Sequence, residues 1–98
     1  GKVWIAKSVL LEVVWGLRSV YGFEGEQVVE AVSRLMGLRT VELEDFDEIA
    51  SAVELAKGGL DLADAIHLMS RPAGTEFMSF DQKLVKRAKK LGVAAVEE

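Results

Sequence analysis

Residues 76–96 read "EFMSFDQKLVKRAKKLGVAAV", and this stretch decides the fold. "EFMSF" is short and mostly apolar, as a strand is. "DQKLVKRAKKLG" then reads as a helix, with Asp81 as its N-cap and Gly92 as its stop, and "VAAV" supplies a final strand. A strand, a helix and a strand in succession imply parallel strands joined by a crossover.

Working outward, the same alternation recurs. "VWIA" at 3–6 is a short strand; Ser8 offers a cap oxygen to a helix that runs to about Tyr21 and stops at Gly22. In "EGEQVVEAVSRLMG", Val28, Val29, Val32, Leu35 and Met36 recur at helical spacing up to Gly37. "TVELE", from Thr40, alternates like a half-exposed strand, and "DFDEIASAVELAKGG" opens with acids suited to a helix N-terminus and closes at Gly58. "LDLADAIHLMS" is helical to Ser70, where Arg71-Pro72 ends it, because the residue before proline disfavours the helical region. The expected string is βααβααβαβ in an α/β fold: one mainly parallel sheet covered on both faces, in a single domain over residues 1–98.

Composition narrows the class. Half of the 98 residues are hydrophobic and 29% are charged, with one proline, which is a globular balance. No cysteine is present, so disulfides and thiolate–zinc chemistry are excluded, and the cytoplasm is the expected compartment. No apolar run approaches a membrane span. The net charge of −4 argues weakly against bulk attraction to nucleic acid, though a local basic surface stays compatible with it.

In parallel sheets ligands bind beyond the carboxyl ends of strands. Acids stand at such places. At about 100° per residue, Ser8, Glu12, Gly16 and Ser19 share one narrow stripe of the first helix. Glu12 is therefore either on a solvent stripe or within reach of a ligand that its small neighbours admit. Asp61 and Asp64, three apart, share a helix face. Capping explains Asp61 well and Asp64 only in part; it also suffices for Asp81 taken alone. Taken together, the carboxylates repel one another unless a hard cation neutralises them, and oxygen ligands suit magnesium or manganese. Such an ion activates water and stabilises charge on a phosphoryl group.

At these residues the chain resembles the PIN-domain family, most closely its VapC-type members, the ribonuclease toxins of toxin–antitoxin pairs. The matching stretches are "VWIAKSVLLEVVWGLRSVYGF" with Glu12, "GLDLADAIHLMS" with Asp64, and "EFMSFDQKLVKRAKKLG" with Asp81. The resemblance implies a metal-dependent endoribonuclease cleaving RNA phosphodiesters, with Glu12, Asp64 and Asp81 as catalytic Mg2+ or Mn2+ ligands and Asp61 and Ser79 as accessories. It also implies an antitoxin partner. The family's first, central strand, which carries a further metal-binding aspartate, and the helical segment after it have no counterpart here. The chain is thus expected to be N-terminally incomplete, impaired in activity, and inclined to form a homodimer or higher oligomer through its unpaired strand edges. The alternative is a non-catalytic PIN-like module that binds protein, such as an antitoxin-binding fragment.

Lys83, Lys86, Arg87, Lys89 and Lys90 form a basic run that reads as a solvated face, or as a contact for RNA phosphates beginning beside Asp81. His67 is expected at a core edge rather than as a base. Trp4, Trp15, Tyr21 and Phe23 are expected in the core or at a dimer or partner surface.

Overall fold

A computed structural model describes residues 1–72, 74–79, 81–92 and 95–97 of the chain, the side chains at 77, 79 and 95–97 apart. In chain order the elements are β1 (Val3–Ile5), α1 (Lys7–Ser19), α2 (Gly25–Met36), β2 (Val41–Leu43), α3 (Phe46–Lys57), α4 (Leu62–Met69), β3 (Phe77–Ser79), α5 (Gln82–Lys90) and β4 (Ala95–Glu97). Mixed α/β order is therefore observed, as the alternation of strand and helix patterns requires.

The expected single sheet is not formed among the described residues. β1 pairs with β2 in parallel, Trp4 opposite Glu42, and β3 pairs with β4 in parallel, Met78 opposite Val96. These are two separate two-stranded sheets. Each pair closes over its own helical crossover, and no described strand lies between them to join their hydrogen-bond ladders.

Core formation follows helical spacing. Leu10 and Val14 of α1, Val28 and Val32 of α2, and Ile49 and Val53 of α3 are each four apart and buried. Leu62, Ala65, Ile66 and Leu68 make α4 almost wholly internal, and Leu84, Val85 and Ala88 turn one face of α5 inward. Burying an aliphatic side chain of this size contributes about 1.5–3 kcal/mol, so these positions hold the helices together.

The start of α1 corrects one expectation. Ala6, not Ser8, occupies the N-cap, and it supplies no side-chain hydrogen bond. Instead the Lys7 backbone N–H donates to the Glu44 carboxylate at 2.8 Å, so a residue just beyond β2 satisfies the helix end. The Lys7 ammonium meets Asp45 at 2.9 Å and Glu48 at 3.3 Å. The hydrogen bond to Asp45 is the largest influence on this ammonium; with the bond to Glu48 and the charges of both acids it outweighs burial and holds the Lys7 pKa above its ordinary value. β1, α1, β2 and α3 are thereby tied at one corner.

The aromatic residues divide between the two expected places, core and surface. Trp4, Trp15 and Tyr21 are exposed, and Phe23 is half-buried against the core. Among the described residues Trp4 lies on a strand hydrogen-bonded on one side only, and Trp15 lies about 100° beyond Val14 on α1, turned off its buried face.

Candidate carboxylate site

The site grows from the N-termini of α4 and α5. Asp61 precedes α4 in extended conformation, and its Oδ1 accepts the Asp64 N–H at 3.2 Å. Its Oδ2 lies 3.6 Å from an Arg18 nitrogen of α1. The cap explains Asp61, and it fixes Asp64 in the first turn of α4, half-buried with Leu62 and Ala65 buried on either side. Asp81 caps α5: its Oδ1 accepts from the backbone N–H of Lys83 at 3.0 Å and of Leu84 at 3.2 Å.

Electrostatics then connect the acids. The Asp64 carboxyl is held above its ordinary value, first by burial, next by the charge of Asp61 and then by that of Asp81, with His67 acting in the opposite sense. A half-buried carboxylate under the charge of two others is a place where a proton lowers the free energy. Hard oxygen donors are the ligands magnesium and manganese prefer.

Glu12 is exposed on α1, on the side away from Leu10 and Val14. Among the described residues, no three histidine or acidic side chains lie close enough together to hold a metal ion as they stand. The donor chemistry of Asp64, Asp81 and Glu12 suits a hard cation, and among the described residues the three are not gathered into one ligand group.

The remaining sequence candidates find simpler places. His67 is exposed in the last turn of α4 rather than packed at a core edge, because Leu68 and Ile66 already occupy the inward positions. Lys83, Lys86, Arg87, Lys89 and Lys90 are all exposed on α5, and Arg87 Nη1 donates to the Gly59 carbonyl at 2.7 Å. The Ser79 side chain lies outside the described residues.

Sequence reading missed one concavity. A cleft of about 960 Å³ opens beside the α3–α4 connection, bordered by α1, α2 and Arg87 of α5. Its lining residues are scattered from Val14 to Arg87, so no local motif could announce it.

No helix among the described residues is long and apolar enough to cross a membrane. No family model matches the chain, and neither the curated proteins nor the solved structures contain a significant match to it.

Proposed function

We propose that this chain is a PIN-like, metal-dependent endoribonuclease of the toxin–antitoxin type. The observation that carries the reading is Asp64: a half-buried carboxyl at a helix start, its proton affinity raised by burial and by the charges of Asp61 and Asp81. Packing gains nothing from that arrangement, whereas cation binding does. Asp64, Asp81 and Glu12 are the residues that would hold Mg2+ or Mn2+, which when bound supplies an activated water and charge stabilisation for phosphodiester hydrolysis.

The protein's own residues have separate tasks in this reading. Asp61 orients Asp64 through the helix cap and keeps Arg18 close. Asp81 is held by two backbone N–H groups of α5, which limits its side-chain freedom. Lys83, Lys86 and Arg87 project from the same helix and offer salt-dependent contacts to RNA phosphates.

The two unjoined sheets support a further part of the reading. An upstream strand, expected from the family resemblance, would lie between the β1–β2 and β3–β4 pairs and bring its aspartate to the same end. The open edge of β1 and the exposure of Val3 and Trp4 are what such a strand would cover. Glu12 would then be drawn toward Asp64 and Asp81. An antitoxin protein, a homodimer or higher oligomer, and a cytoplasmic location belong to the same proposal.

A second reading, a PIN-like module that binds protein without cutting RNA, is favoured by the solvent-facing Glu12. RNA cleavage by the gene product extended upstream of Gly1 separates the two. The nuclease reading expects Mg2+- or Mn2+-dependent cleavage that Asp64→Asn and Glu12→Gln each reduce by at least about a hundredfold. Undiminished cleavage in either variant, or none in the extended protein, would defeat it.

A further inference from the structure

The first helix carries a second apolar stripe besides the one it buries. Val9, Val13, Gly16 and Val20 follow one another at intervals of four, three and four residues. At about 100° per residue they fall within an arc of roughly 60°, about a quarter turn from Leu10 and Val14. The helical geometry extends to Val20, whose backbone N–H donates to the Gly16 carbonyl at 2.9 Å. Unlike the buried stripe, this one faces solvent, with Val9 46%, Val13 44% and Val20 66% exposed.

Gly16 has no explanation within the fold. Glycine weakens a helix interior more than any ordinary residue except proline. A Cβ at this position would meet no atom within 4 Å among the described residues, so no close approach inside the chain requires its absence. A gap in the middle of an exposed valine row instead admits a side chain from outside.

We infer that α1 pairs antiparallel with α1 of a second copy of this chain, through Val9, Val13, Gly16 and Val20. The four–three–four spacing reads the same in both directions, so a two-fold axis between Val13 and Gly16 lays the stripe on itself. Val9 then meets Val20 of the second copy, and Val13 fills the gap at its Gly16. Parallel pairing would set glycine against glycine, leave a void and align the two helix dipoles. Glu12 borders the stripe beside Ser19 and falls nearest Ser19 of the second copy, so the two acids do not oppose each other. The exposed apolar surface of α1, with Trp15 and Tyr21 included, is at most roughly 600 Å² per copy, below the ~800 Å² that each partner gives to a stable complex. The pair is therefore weak and reversible, and in dilute solution the chain is monomeric with this stripe open to water. The inference stands apart from the nuclease reading, since none of the four residues is a carboxylate.

Sedimentation of the 98-residue chain from about 1 µM to about 1 mM tests it, and a monomer–dimer equilibrium is expected within that range. Gly16→Leu should weaken the association at least about tenfold, because its side chain collides with Val13 of the second copy, while the helical circular dichroism is retained. Cysteine is absent from the chain, so single replacements reveal the register. Under mild oxidation, a mixture of Val9→Cys and Val20→Cys proteins should form a disulfide-linked pair, and either alone should form little. A chain that stays monomeric to about 1 mM would overturn the inference. So would association that Gly16→Leu leaves unchanged, as pairing through strand edges would be, or either cysteine variant linking to itself as readily as to the other.

Discussion

The α3–α4 half of the molecule and its β1–α1 half have comparably apolar sequences and opposite fates. Ile49, Ala52, Val53, Leu62, Ala65, Ile66 and Leu68 are all buried. By contrast, Val3, Trp4, Val9, Val13, Trp15, Val20 and Tyr21 are exposed, with Trp4 at 59%, Trp15 at 65% and Tyr21 at 73%. The difference lies in partners rather than in composition. α3 and α4 pack on each other and on α2, while α1 buries Leu10 and Val14, packs Leu11 and Leu17 partly against the core, and leaves Val9, Val13 and Trp15 exposed. An apolar helix is a statement about what it can cover, and this one still has surface to give.

Substitution is the direct way to break that contrast, and Ile66 should show the largest effect. Ile66→Ala, fully internal, is expected to cost about 2–5 kcal/mol in denaturant unfolding. Val13→Ala on the open face of α1 should stay within about 0.5 kcal/mol. Comparable losses at the two positions would mean that the α1 face is covered in solution.

The corner between the two halves should respond less strongly. Glu44→Ala strips the Lys7 N–H of its acceptor and is expected to cost about 1 kcal/mol. Glu44→Gln keeps an acceptor oxygen and should recover most of that loss. Equal costs for both would indicate that the carboxylate acts through charge on Lys7 rather than as a cap.

The smallest expected effect concerns Asp64, and it has a defined sign. Its carboxyl binds a proton more tightly in the folded chain than in the unfolded one, because of burial and the charges of Asp61 and Asp81. Its contribution to stability is therefore fully present below the unfolded value of about 3.8 and is lost as pH rises through the higher folded value. Asp64→Asn should accordingly raise the thermal midpoint at neutral pH, with the gain shrinking toward zero in acid. A lowered midpoint at pH 7 would show that the carboxylate is held by contacts stronger than the repulsion it feels.

These contrasts also explain what was legible in the sequence. Local chemistry was legible: Asp61 and Asp81 accept from the helix N–H groups that capping assigns to them, and Gly22 and Gly92 take the left-handed conformation expected where helices stop. The ring of valines and leucines facing inward from α2, α3 and α4 follows helical spacing. Relations across the chain were not legible. Glu44 caps a helix that begins 37 residues earlier in sequence, and no pattern around Ser8 could reveal that the neighbouring strand already supplies the acceptor. The split into two sheets depends on which strand edges meet, which periodicity within each strand does not encode. For the carboxylates, spacing placed Asp61 beside Asp64, and the strand-end position of Asp81 suggested that it joins them. Glu12 takes the exposed side of α1 that helical spacing from Leu10 and Val14 assigns to it.

The most direct test of the carboxylate site is a titration of Mn2+ into the 98-residue chain followed by amide NMR, with Asp81→Asn as the comparison, since asparagine still caps α5. The account predicts saturable broadening centred on Asp64 and Asp81, weakened in the variant. Unlocalised broadening, or localised broadening that the variant leaves unchanged, would contradict it.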